Sequence, residues 1–281
     1  MERKKKVALV TGGNSGMGKA SCAALADQGF HVLLLARSRE KGEAAMKDLE
    51  KVPGRSVELL LCDLADPESI KGVDAFFKEK NDTLDVLLNN AGVITLKREE
   101  TKEGHELQFG VNHLGHFLLT KVLLPYMASG SRIINVSSGA HKWGKIHFED
   151  LSFQKGYRPF KAYGQSKLAN VLFTKALAEK LLGLGITVNA CHPGAVGTQM
   201  GVDRKTGFGQ GLLKFLGLFF LTPEEGARTA VYLATSREVE GVSGQYFFKR
   251  KAVAPSERGQ NIMLARELFK VSETLTEPYK W

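Results

Sequence analysis

The sequence predicts an α/β fold built on a doubly wound parallel sheet with helices on both faces, and three observations carry that prediction. Short runs of wholly apolar residues recur along the 281 residues. Nearly every run is followed by a stretch with helical periodicity. A glycine-rich turn, Thr11-Gly12-Gly13-Asn14-Ser15-Gly16-Met17-Gly18, joins the first run to the first helix. Strands that are apolar along their whole length belong to sheets buried on both faces. Parallel strands in turn need long crossovers, usually helices.

The elements follow in order. Val7–Val10 is the first strand, and Lys19–Gln28 a helix ended by Gly29. Val32–Ala36 is the second strand, and Glu40–Lys51 the second helix, stopped by Pro53-Gly54. Val57–Cys62 is the third strand. Asp66 caps a helix reaching Lys80, with Pro67 at its first position, where a missing N–H costs nothing. Asp85–Leu88 is the fourth strand, and helical pattern fills Glu106–Met127. Arg132–Val136 is the fifth strand, Phe160–Leu182 a long helix and Ile186–Ala190 the sixth strand. Pro223–Ala234 is a further helix and Gln245–Phe248 a last strand. No repeat, low-complexity tract or linker-like break interrupts this order. Residues 1–281 are therefore expected to form one dinucleotide-binding and catalytic domain, with 250–281 as a C-terminal extension.

Composition narrows the function. Hydrophobic residues at 43% and charged residues at 25% exclude a disordered chain. The net charge of +9 is scattered rather than clustered, and no helix-turn-helix, zinc or RNP signature accompanies it. Nucleic acid is not an expected partner. Cys22, Cys62 and Cys191 are odd in number and far apart, so neither a disulfide framework nor a metal site is expected, and a reducing compartment fits. Val7–Val10 is too short for a signal-peptide core. The longest apolar run, Leu212–Leu221, is interrupted by Lys214 and Gly217 and falls short of the roughly 18 residues of a membrane span. A cytoplasmic protein is expected, with peripheral membrane contact allowed by the basic charge and this apolar run.

The glycine turn sits where a Rossmann fold binds a dinucleotide. Gly12, Gly16 and Gly18 let backbone and pyrophosphate approach closely, and the helix N-terminus at Asn14, Ser15 and Met17 offers N–H groups to it. The residue after the second strand selects the cofactor. An acid there would hold the ribose hydroxyls of NAD. Arg37 instead suits a 2′-phosphate, so NADP(H) is expected.

Six further motifs follow in chain order: Asp63 after the third strand, Asn89-Asn90-Ala91-Gly92 after the fourth, Asn112, Ser137-Ser138 after the fifth, Tyr163-x-x-x-Lys167, and Pro193-Gly194 after the sixth. With the glycine turn, this series resembles the short-chain dehydrogenase/reductase family from Val7 to about Gln245. The segment His141–Tyr157 separates Ser138 from Tyr163 by 25 residues, and resembles the longer loop of the retinol-dehydrogenase-like branch. The resemblance implies that Asp63 and Leu64 meet the adenine, that Asn90, Ala91 and Gly92 line the adenosine side, and that Pro193, Gly194, Val196 and Thr198 cup the nicotinamide. It implies catalysis by Asn112, Ser138, Tyr163 and Lys167. On a helix, Tyr163 and Lys167 share a face, and the ammonium is expected to lower the phenol pKa. Tyr163 then exchanges a proton with the substrate oxygen, Ser138 holds that oxygen, Lys167 also holds the ribose, and Asn112 supports a water relay. His141 and His147 are read as ordinary loop residues.

The expected reaction interconverts an alcohol and an aldehyde or ketone. Gly207–Leu221, rich in Phe and Leu, reads as a lid over a lipophilic substrate, with a core helix or a membrane contact as alternatives. Family members are commonly dimers or tetramers, so a homo-oligomer is compatible. Two other functions compete: a sugar-nucleotide epimerase or dehydratase, which usually carries a larger C-terminal domain, and a non-catalytic NADPH-binding regulator, which has no use for a proton relay.

Overall fold

The structure is a computed structural model and describes residues 5–80, 82–194 and 221–279. The apolar runs become strands: β1 Val7–Thr11, β2 His31–Ala36, β3 Ser56–Leu61, β4 Val86–Asn89, β5 Arg132–Val136, β6 Thr187–His192 and β7 Tyr246–Phe248. All seven are parallel, in the order β3-β2-β1-β4-β5-β6-β7. A short β8, Lys251–Ala252, which the sequence reading left out, adds antiparallel to β7.

Side-chain alternation along the strands divides the core in two. Val7, Leu9, Leu33 and Leu35 face one layer, and Ala8, Val10, Val32 and Leu34 the other. The second layer packs under α1 Gly16–Asp27, α2 Arg39–Glu50 and, near the C-terminus, α7 Pro223–Thr235. Thr222 and Glu225 close a reciprocal capping box at the start of α7. The first layer packs under α3 Pro67–Lys80, the helices of segment 107–123, and α6 Pro159–Lys180.

Two stretches depart from the expected pattern. The helical run Glu106–Met127 is not one α-helix. It is α4 Leu107–Phe109, a π-helical turn Gly110–Gly115, α5 His116–Leu123 and a 3-10 turn Leu124–Tyr126. The extension after residue 250 is also structured, with α8 Glu257–Gln260 and α9 Ile262–Thr276. Helix α9 lies along α6. It brings Phe269 within 4.9 Å, centroid to centroid, of Phe117 on α5, and within 6.2 Å of Phe173 on α6. His113 Nε2, in the π turn, meets Ser272 Oγ of α9 at 2.8 Å.

The strand order reverses between β1 and β4, so the loops after these strands diverge and leave a crevice at their C-terminal ends.

Candidate active site

The glycine turn leaves β1 at this crevice. Gly12 and Gly16 have φ of +64° and +50°, which residues with a side chain rarely adopt. A Cβ on Gly18 would stand 2.2 Å from the Gly12 carbonyl oxygen, so only glycine closes the turn onto α1. Ser15 caps α1 without a side-chain bond, and the first turn carries no acid. Those N–H groups are left for an anion. Thr11, ending β1, ties the turn to the next loop. Its hydroxyl accepts from the N–H groups of Asn90 and Ala91, both at 2.8 Å, and Asn90 Nδ2 donates to its carbonyl at 2.7 Å.

Arg37 follows β2 directly, is exposed, and forms no ion pair with any described residue. Asp63, after β3, is half-buried and accepts from the Ala65 N–H at 2.9 Å, with Leu64 buried beside it. Gly92 leaves the floor open: a Cβ there would cover Lys167 Nζ at 3.4 Å and Asn112 Oδ1 at 3.5 Å. An open N-terminal helix turn, an exposed cation after β2 with no ion-pair partner among the described residues, and an uncovered polar floor fit a nicotinamide dinucleotide.

Beyond that floor, β5 delivers Ser138 and α6 delivers Tyr163 and Lys167. Ser138 opens a 3-10 turn, Gly139–Lys142. Its hydroxyl accepts from the Ala140 N–H at 3.2 Å, and the serine stands close enough to Tyr163 to draw the phenol pKa downward. Ser137, by contrast, donates its hydroxyl to the Lys167 carbonyl at 2.7 Å. One turn along α6, Lys167 Nζ lies 5.7 Å from the Tyr163 ring centroid and donates to the Val136 carbonyl at 3.1 Å. Asn112, in the π turn, accepts from the Val93 N–H at 2.7 Å. Its Nδ2 donates to the Val93 carbonyl at 3.0 Å and to Ser166 Oγ at 3.1 Å. Pro193 and Gly194 follow β6, where Gly194 N–H donates to His192 Nδ1 at 3.1 Å.

Burial sets the proton affinities. It brings the Lys167 ammonium down to about 8. Burial also pushes the Tyr163 phenol above its ordinary value, against the hydrogen bond from Ser138. The expected lowering of Tyr163 by Lys167 is therefore not what the chain shows. Desolvation of the phenol outweighs the opposing effect of Ser138, and the Lys167 ammonium, 5.7 Å from the ring centroid, is engaged with the Val136 carbonyl.

A family model described as short chain dehydrogenase matches residues 6–207. The chain belongs to this family. Retinol dehydrogenase 11 of Mus musculus is 41% identical over 280 residues, a match spanning 98% of this chain and 88% of the relative. Retinol dehydrogenase 14 of Homo sapiens is 42% identical, spanning 96% and 86%. Within the short-chain dehydrogenases the chain falls in the retinol-dehydrogenase-like branch. An uncharacterised protein from Mycobacterium Paratuberculosis superposes with a TM-score of 0.78 at 33% identity, over 97% of this chain and 93% of that one. An actinorhodin polyketide ketoreductase with NADPH gives 0.68 at 28%, over 86% and 95%. The protein is an oxidoreductase of alcohols and carbonyl compounds that uses a nicotinamide cofactor and a small-molecule substrate.

This short-chain dehydrogenase brings Ser138, Tyr163 and Lys167 together, and sets Asn112 and Gly92 behind them. Val196, Thr198 and the lid segment up to residue 220 lie outside the described residues. Three residues near the site were missed or underread in the sequence. Thr11 was read only as part of the turn. His116, four residues after Asn112, places Nε2 2.8 Å from Thr11 Oγ1 and Nδ1 3.1 Å from the Asn112 carbonyl. His141, read as a loop residue, is wholly buried beneath Ser138. Polar residues at helix positions that should face the core were the available signal for His116.

Proposed function

We propose that the chain is an NADP(H)-preferring enzyme that interconverts a lipophilic aldehyde or ketone and its alcohol, working as one cofactor-binding and catalytic unit. The observation that carries the chemistry is the grouping of Ser138 and Tyr163 with Lys167, whose ammonium lies 5.7 Å from the Tyr163 ring centroid, at the C-terminal ends of the strands. When bound, the nicotinamide supplies the hydride. Tyr163 gives the substrate oxygen its proton, and Ser138 orients that oxygen. Lys167 offers an ammonium to the ribose, and Asn112 supports proton resupply behind it.

Arg37, exposed and without an ion-pair partner among the described residues, supports NADP(H), and its position after β2 suits a 2′-phosphate. The names of the retinol dehydrogenases support a lipophilic substrate. The test follows absorbance at 340 nm with NADPH or NADH against aldehydes and ketones of increasing apolar length. NADPH is expected to bind at least about tenfold more tightly than NADH, a difference of about 1.4 kcal/mol. Arg37→Asp is expected to abolish that preference. The value of kcat/KM is expected to rise with chain length, by up to roughly 0.8 kcal/mol per buried CH₂. Equal affinities for the two cofactors, or best activity on a small polar sugar, would overturn the corresponding half of the reading.

A further inference from the structure

His141 is wholly buried, and both of its ring nitrogens are engaged. Nε2 accepts the backbone N–H of Ser256 at 3.1 Å. A nitrogen that accepts carries no proton, so the neutral ring holds its proton on Nδ1. Nδ1 lies 2.7 Å from the Ser138 carbonyl and donates to it. The same carbonyl receives the His141 backbone N–H at 3.1 Å. Burial holds the imidazole below its usual pKa, which keeps the ring neutral and this arrangement intact. Tyr246 packs on the ring at 4.8 Å, with its hydroxyl 3.3 Å from Nδ1.

The far end of this connection is the C-terminal extension. Ser256 opens α8, and two residues on, the Arg258 guanidinium donates to the Gly144 carbonyl at 3.0 Å. Two polar bonds from the extension thus reach the segment that starts at Ser138. A hydroxyl that must meet both Tyr163 and a substrate oxygen works only if its backbone is fixed. A displacement of about 1 Å is enough to cost on the order of 10²-fold in rate.

We propose that His141 is a positioning residue: through it, the C-terminal extension fixes the Ser138 backbone and so the placement of the Ser138 hydroxyl against Tyr163. The proposal rests on the reading of Ser138 and Tyr163 as the pair that meets the substrate oxygen.

Ser256→Pro removes the N–H that His141 accepts. The Ser256 φ of −57° is one that proline adopts, so the backbone need not move. The substitution also removes the hydroxyl that accepts from the Gly259 N–H, and Ser256→Ala controls for that loss. With NADPH and a good aldehyde substrate, Ser256→Pro is expected to lower kcat by about 10- to 100-fold with the NADPH Kd unchanged, and Ser256→Ala to leave kcat near that of the unaltered enzyme. His141→Ala is expected to match Ser256→Pro. His141→Asn, whose amide N–H can replace Nδ1–H, should recover part of the loss. Nitrogen-15 NMR of the unaltered protein should show His141 as the Nδ1–H tautomer, a readout that needs neither turnover nor a folded variant.

Equal kcat for Ser256→Pro and Ser256→Ala, or an Nε2–H tautomer, would overturn the proposal. Ser138→Ala separates the two levels. If it keeps full activity, the reading of the site fails whatever the tautomer. If it is inactive while Ser256→Pro is fully active, only the positioning role fails.

Discussion

Lys167 and Tyr163 share a face of α6, yet burial moves their pKa values in opposite directions, lysine down to about 8 and tyrosine upward, and both shifts favour the uncharged form. In the proposed reaction, that form of Tyr163 is the proton donor. Tyr163→Phe removes only this hydroxyl, and kcat for carbonyl reduction is expected to fall by about 10² or more. The NADPH Kd, measured by fluorescence titration, should stay unchanged. For Lys167 the uncharged form is the one that no longer serves. Below about 8 its ammonium is present, and above that it is lost. The reductive kcat/KM is therefore expected to be level on the neutral side and to decline as pH rises through about 8. The slow residual reaction of Lys167→Ala should lack this alkaline decline. A decline that survives the substitution would assign it to another group.

At the scale of elements, the π turn Gly110–Gly115 shapes the site most. It turns Asn112 toward Val93 and Ser166, and sets Gly115 against the loop after β3. A Cβ on Gly115 would lie 2.3 Å from the Leu64 carbonyl oxygen, a backbone atom that cannot swing aside. Gly115→Ala is expected to cost about 1–3 kcal/mol in urea denaturation, the range for overpacking. It should also weaken cofactor binding, since Leu64 sits beside Asp63. The sequence showed part of this. Strands β1 to β6 were legible because each is an apolar run bounded by turn residues. The glycine turn and the Tyr163–Lys167 spacing were legible because their chemistry is local. The π turn was not, because widening one turn leaves the apolar spacing around it nearly intact. Helix α9 was missed although Ala265, Leu268, Phe269, Ser272 and Thr276 recur with helical period. The contact between Ser138 and Tyr163 depends on how β5 and α6 pack, and spacing along the chain cannot give that. The direction of the Tyr163 shift was misjudged for the same reason, since burial is a tertiary property.

Across the whole molecule, the fully buried histidines of the helical layer act as structural donors and acceptors rather than as charges. His113 and His116 are buried, and burial lowers them to about 3 and about 4. In the fold they stay neutral, whereas in the unfolded chain they take up protons below about 6.5. The unfolded state therefore binds more protons as the solution is acidified. Stability is expected to fall from about pH 6.5 downward and to go on falling until the folded-state values are passed. For His116 alone the loss amounts to about 3 kcal/mol, the equivalent of its shift. Urea unfolding at a series of pH values reads this slope, and His116→Asn is expected to make it shallower. His116 also joins Thr11 to Asn112, so the same substitution should loosen the glycine turn and raise the NADPH Kd.

The packing of α9 on α6 has a consequence for biosynthesis. On the ribosome, β1 to β7 and the helix bearing Tyr163 and Lys167 are all made before α9 emerges. Until it does, Phe117 and Phe173, which pack on each other, lack Phe269 over them, His113 lacks Ser272, and His141 has been without Ser256 until shortly before. A nascent chain at that stage presents an apolar face of the kind that chaperones and proteases recognise. The proposed catalytic apparatus is thus supported on all sides only once α8 and α9 have emerged. A message truncated shortly before residue 262 is expected to yield a product that cellular quality control removes, and not a partly active enzyme.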